Sequence, residues 1–152
     1  MQTTDMTQRF TIARYMPAPL DEVWRAWTKP DAIAEWWHLP ETKTPREELE
    51  FDVRVGGSYI YTSIHNETHH RTVSGGTFQE VTPPRRLVFT WGAPDFNPER
   101  LPIVAVNLDE TSDGTYVMFE LVGVAGEPGD NGFYDTWDQA LARLKAYVGS
   151  SA

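Results

Sequence analysis

The sequence predicts an α+β fold in which a curved antiparallel sheet of about seven strands wraps one long C-terminal helix, with a pair of short helices following the first strand. Three observations predict it. Stretches with apolar residues at every second position recur along most of the chain, each closed by Gly, Pro or Asp-Gly turn chemistry. Two Pro-bounded amphipathic segments interrupt that series near its start. The strongest helical periodicity lies at the end of the chain, after a glycine-rich break from Gly126 to Gly132.

The first strand is expected over Phe10 to Tyr15, where aromatic and β-branched residues mix with polar ones before Pro17 and Pro19. From Leu20 the apolar residues fall at Leu20, Val23, Trp24 and Trp27, a helical spacing, and Asp21 and Glu22 sit in the first turn where the helix dipole favours negative charge. Pro30 suits the first position of a second helix, whose apolar face carries Ile33, Trp36 and Trp37 until Pro40 and Pro45 forbid continuation. Strands are then expected over Leu49 to Val55, Tyr59 to Ile64, Arg71 to Val81, Leu87 to Trp91, Ile103 to Leu108 and Thr115 to Val122. The turns between them are Gly56-Gly57, a polar tip from His65 to His70, Pro83-Pro84, a Pro-rich segment through Pro102, and Asp113-Gly114. Alternation assigns Leu87, Phe89 and Trp91 to one face, and sets Thr115, Val117, Phe119 and Leu121 against Tyr116, Met118 and Glu120. In the last helix Phe133, Trp137, Ala140, Leu141, Leu144, Tyr147 and Val148 form the apolar stripe, and Gly149 is expected to end it.

Residues 9–149 are expected to form one domain behind a flexible start over residues 1–8: a chain of 152 residues buries about two-thirds of its unfolded surface, enough for one core. Hydrophobic residues at 40% and charged residues at 23% are a globular balance. A net charge of -9 and the lack of any basic patch beyond Arg85-Arg86 argue against nucleic acid and anionic membrane surfaces as partners. No run approaches the ~20 apolar residues of a membrane span, so no membrane insertion is expected. The polar start from Met1 to Gln8 and the absence of cysteine fit a cytoplasmic address.

Several phrases of the chain carry a resemblance to a known family. They are Ala18-Pro19-Leu20-Asp21-Glu22-Val23-Trp24-Arg25-Ala26-Trp27, Trp36-Trp37, Val55-Gly56-Gly57-Ser58-Tyr59, the run from Val81 to Trp91, Asp113-Gly114-Thr115, and Trp137 with Leu141-Ala142-Arg143-Leu144. Together they resemble the activator of heat-shock protein 90 ATPase homologue family, within the START-like or Bet v 1-like (SRPBCC) helix-grip superfamily. The resemblance implies a sheet that grips the last helix and leaves a cavity between them, a scaffold that relatives use for lipid or aromatic ligands, for polyketide cyclisation or for chaperone contact. The chain departs from many relatives at Asp135-Thr136-Trp137, which keeps the Trp and lacks the Gly before it.

On that frame the expected ligand-binding cavity is lined by Trp37, Tyr59, Tyr61, Trp91, Phe119, Phe133, Trp137 and Leu141, an aromatic wall suited to a flat or lipid-like apolar molecule. Trp24 and Trp27 read as packing residues that pin the short helices to the sheet. No nucleophile elbow, phosphate loop or dinucleotide fingerprint is present, so no cofactor is expected and no catalytic residue is identified; His38 is the candidate acid/base group beside the expected cavity mouth. His65, His69 and His70 surround a hairpin tip and read as a solvated loop, with no metal expected. Binding of an apolar small molecule or lipid is therefore the first functional reading, a cyclase-like acid/base enzyme the second and chaperone contact the third. A homodimer is compatible with exposed edge strands.

Overall fold

A computed structural model describes residues 7–38, 41–92 and 100–150. The expectation of a flexible start falls mostly on residues outside this set, as does much of the Pro-rich segment before Pro102. Strand β1 (Arg9–Met16) leads into helices α1 (Leu20–Thr28) and α2 (Pro30–Trp36), followed by the two-residue strands β2 (Thr42–Lys43) and β3 (Glu50–Phe51). The long strands are β4 (Ser58–His65), β5 (Arg71–Thr82), β6 (Arg86–Thr90), β7 (Ile103–Glu110) and β8 (Thr115–Val122), and α3 (Phe133–Ser150) closes the described chain.

The eight-stranded sheet is antiparallel throughout and runs β1-β8-β7-β6-β5-β4-β2, with β3 also paired to β4. Together with α3 it forms the helix-grip α+β architecture that the sequence predicts. On β8 the alternation holds as expected: Thr115, Val117, Phe119 and Leu121 are buried, while Tyr116 and Met118 are exposed. Leu87 and Phe89 of β6 and Val104, Val106 and Leu108 of β7 join the same inner layer, and Ala140, Leu141, Leu144 and Val148 of α3 press onto the core they build. Each buried Val, Leu or Phe among them contributes about 1.5–3 kcal/mol by leaving water.

The two short helices start and stop for local reasons. Val23, Ala26 and Trp27 of α1 turn inward, and Lys29 is forced extended by the proline behind it, with φ −101° and ψ 124°. Pro30 then opens α2. Trp36 is fully buried and its indole donates to the Ala26 carbonyl at 2.8 Å, which fixes one helix against the other. Arg143 of α3 donates to the carbonyls of Trp36 and His38 and so ties the end of α2 to the long helix.

Three boundaries differ from expectation. The strand expected over Leu49 to Val55 is only Glu50–Phe51, because the chain turns at Arg54 to Gly57, where the Gly57 N–H reaches the Arg54 carbonyl at 2.8 Å. The short strand β2 was not foreseen; it adds Thr42 and Lys43 opposite His65 and Ile64. Gly149 does not end α3, which continues to Ser150. The start of α3 is fixed by Asp130, whose carboxylate accepts from the Gly132 N–H at 2.7 Å, and by Asp135, which accepts from the N–H groups of Gly129 and Asn131. No helix among the described residues is long and apolar enough to cross a membrane.

Candidate functional site

Between α3 and the inner face of β4 and β5 lies a cavity of about 790 Å³. Its floor is aromatic. Trp37 enters from the end of α2, Tyr61 from β4, Trp91 from the residue after β6, and Phe133 and Trp137 from the first turns of α3. These rings form one contact network: Trp37 lies 5.4 Å from Tyr61 and 5.7 Å from Trp137, and Trp91 lies 5.4 Å from Trp137 and 5.8 Å from Phe133, centroid to centroid. The Trp91 pairs and the Trp37–Trp137 pair are edge-to-face, the arrangement that the ring quadrupole favours.

The opposite wall is polar. Tyr61, Ser63 and His65 occupy alternate positions of β4, and Thr72 and Ser74 face them from β5, with Tyr61 opposite Ser74 and Ser63 opposite Thr72. His70 and Thr68 from the hairpin tip, Thr42, His38 and Thr136 complete it. His65 is held by its own turn, its Nδ1 accepting from the N–H groups of Glu67 and Thr68 at 3.2 Å each, while its Nε2 lies 3.7 Å from a Glu41 carboxylate oxygen. Among the described residues, no carboxylate, lysine or arginine lines the cavity.

At the junction of the two walls, the Tyr61 hydroxyl accepts the Trp91 indole N–H at 3.0 Å. Burial pushes its phenol upward, partly offset by the donor groups of Trp91, Trp37 and Ser74. Tyr59, two residues earlier, donates to the Thr90 carbonyl at 2.7 Å and is pushed well above the ordinary phenol value, first by burial and then by its neighbour Tyr61.

Of the residues singled out from sequence, Trp37, Tyr61, Trp91, Phe133, Trp137 and His38 line the cavity. Tyr59, Phe119 and Leu141 stand behind the lining in the packed core: Tyr59 lies among Phe51, Phe78 and Phe89, Phe119 is fully buried with its ring 4.6 Å from Trp137, and Leu141 is fully buried. The histidine tip is exposed at His69 and His70, as the sequence reading of a solvated loop expects, and His65 and His70 also reach the rim of the cavity. Period-two counting from Tyr61 through Ser63 reaches His65, so the signal was in the strand and not in any motif. Among the described residues no three His, Asp or Glu side chains come together in a metal-ligating cluster.

An antiparallel sheet packed against a long C-terminal helix, with a half-open hollow between them, defines a helix-grip, START-like protein. The sequence model described as Activator of Hsp90 ATPase homolog 1-like protein matches residues 17–149, and the chain belongs to that family. Among solved structures, a protein of Chromobacterium violaceum is 26% identical, with 93% of this chain and 98% of that one covered and a TM-score of 0.81. An AHSA1-like protein of Aeromonas hydrophila is 24% identical over 95% and 94% of the two chains, with a TM-score of 0.78. A protein of Nitrosomonas europaea is 21% identical over 97% of each chain, with a TM-score of 0.80. The last two likenesses speak to the fold alone. No curated protein matches the chain.

Proposed function

We propose that this protein binds an apolar or aromatic small molecule in the cavity between the sheet and α3. The observation that carries the reading is the cavity itself: at about 790 Å³ it falls within the ~300–1,000 Å³ of small-molecule sites, and its floor is a continuous aromatic surface. Trp37, Tyr61, Trp91, Phe133 and Trp137 are the proposed contact residues, with Tyr59, Phe119 and Leu141 supporting them from behind. Burying roughly 200 Å² of apolar ligand surface supplies about 5 kcal/mol before the cost of ordering the complex. The polar wall gives the ligand a defined orientation.

The test is uptake of an environment-sensitive naphthalene dye, together with native mass spectrometry of the purified protein. Dye emission is expected to rise on binding and to be lost in Thr136→Phe, which fills the cavity from its α3 side. A protein that takes up no dye and carries no bound molecule refutes the reading. The acid/base alternative rests on His38, which shares the lining with His65 and His70; it requires turnover of a bound substrate that His38→Gln abolishes without weakening binding. Chaperone contact rests on the family description alone, and pull-down with no chaperone enriched dismisses it.

A further inference from the structure

Burial along the β4–β5 hairpin changes in one direction on the cavity side. Three facing pairs of side chains line it in order: Tyr61 opposite Ser74, Ser63 opposite Thr72, and His65 with His70, whose carbonyl accepts the His65 N–H at 2.9 Å. Tyr61 and Ser74 are buried, Ser63, Thr72 and His65 are half-buried, and His70 is exposed, as is Thr68 at the tip. Tyr61 and His65 are four positions apart on one strand, so the three pairs span about 13 Å at strand rise. The hairpin tip is therefore a mouth of the cavity, and the Tyr61–Ser74 pair lies at its inner end.

Polarity changes along the same line. At the inner end the Trp37 ring stands 5.4 Å from Tyr61, and Trp137 and Ala140 of α3, both buried, line the same cavity. The Tyr61 oxygen is already engaged by the Trp91 N–H at 3.0 Å, and Ser74 sets one small hydroxyl among these groups. The two outer pairs consist of hydroxyls and imidazoles, and Thr68 extends them to the rim. A polar group seated among the indoles gives up its water with little in return, whereas an apolar group laid over the outer pairs strips water from half-buried hydroxyls. A ligand that avoids both costs is apolar at one end and polar at the other.

We infer that the cavity takes a single-headed amphiphile lying lengthwise along β4–β5. Its apolar end rests on Trp37, Trp137 and Ala140, and its hydrogen-bonding head lies toward the mouth, beside Ser63, Thr72 and the His65–His70 pair. The inference rests on the proposed binding role and names the class and direction of its ligand.

The deciding experiment gives the intact protein three probes that share one skeleton: hexylbenzene with no head, 6-phenylhexan-1-ol with one, and 6-(4-hydroxyphenyl)hexan-1-ol with one at each end. Isothermal titration is expected to show the single-headed alcohol binding about three- to tenfold more tightly than hexylbenzene, the net worth of one or two neutral hydrogen bonds. The double-headed compound should bind about fivefold or more weakly than the alcohol, because its phenol is buried among the indoles. In isotope-filtered NMR of the alcohol complex, the ring protons should show contacts to the Ala140 methyl and the hydroxymethylene protons to the methyls of Thr72 and Thr68. The double variant Ser63→Ala with Thr72→Val is expected to lose the preference for the alcohol while still binding hexylbenzene, which reports an intact cavity. Contacts in the reverse order, equal affinity for alcohol and hydrocarbon, a double-headed compound that binds as well as the alcohol, or a preference unchanged in the variant each overturn the inference and leave the binding role standing. If none of the three probes binds, the binding role falls as well.

Discussion

Replacing Trp27 and Trp36 by phenylalanine separates the packing of two adjacent buried indoles from their polar bonds. Both rings are fully buried, 4.7 Å apart at an interplanar angle of 71°, so each substitution opens a similar void. Indole exceeds a phenyl ring by roughly 40 Å³, which at ~24 cal/mol per Å³ of cavity amounts to about 1 kcal/mol for each variant. The polar terms have opposite signs. Trp36→Phe also loses the 2.8 Å bond to the Ala26 carbonyl, about 1 kcal/mol net. Trp27→Phe removes an indole N–H that is buried with no hydrogen-bond partner, which returns about 1 kcal/mol or more. The expected gap is about 2 kcal/mol, with Trp36→Phe the less stable. Urea unfolding followed by far-UV circular dichroism should show the two midpoints about 1 M apart at an m-value near 2 kcal/mol per M. Coincident midpoints, or Trp27→Phe unfolding first, refute the reasoning and mean that the Trp27 N–H is bonded to the face of a neighbouring ring.

In Gly76→Ala the new Cβ would lie 2.1 Å from the Thr90 carbonyl oxygen, a backbone atom that cannot step aside; a loss of about 2 kcal/mol or more is expected by urea titration, and a neutral result would show that β5 and β6 can separate there. Arg143→Met keeps the stem but drops the donors to the Trp36 and His38 carbonyls; with charged hydrogen bonds worth about 1.5–3 kcal/mol, the melting temperature should fall by roughly 3–12 °C and amide exchange should quicken around Trp37. Tyr59 and Tyr61 are both raised in the folded state, chiefly by burial, so the stability they protect is whole below the ordinary phenol value near ~10 and is lost as pH climbs above it toward their folded values. Phenolate absorbance at 295 nm from these two should therefore appear only together with unfolding; their titration in the native protein at pH 10 would contradict their burial.

Much of the architecture was legible because it is written in periodicity. The inward set of β8 and the stripe of α3 follow from counting by two and by 3.6, and each long strand is closed by turn residues. What escaped is short or defined by pairing. Two-residue strands such as β2 and β3 have no period, and their existence depends on the partner edge of β4. In the site, the aromatic floor was recognisable from Trp37, Tyr61, Trp91, Phe133 and Trp137, since large rings on inward positions must meet. Sequence does not say which of them stop at the hollow and which lie behind it; Tyr59 and Tyr61 share a face, yet one packs among phenylalanines and the other lines the cavity. The polar wall was missed because a serine, threonine or histidine on a strand looks like a solvated surface, and several of these residues are indeed half-buried or exposed at the edge of the hollow.

Trp37 is in ring contact with Trp27, Trp36, Tyr59, Tyr61, Phe89 and Trp137 at once, so one side chain belongs to the core and to the cavity floor. A lineage that changes this floor to accept a new molecule alters the packing of both short helices in the same step. The β4–β5 wall carries no such burden, because Ser63, His65, His70 and Thr72 can be exchanged without disturbing the aromatic network. Divergence of ligand preference on this scaffold should accordingly accumulate at the hairpin and leave the tryptophans in place, and a designer reshaping the pocket would do well to begin there.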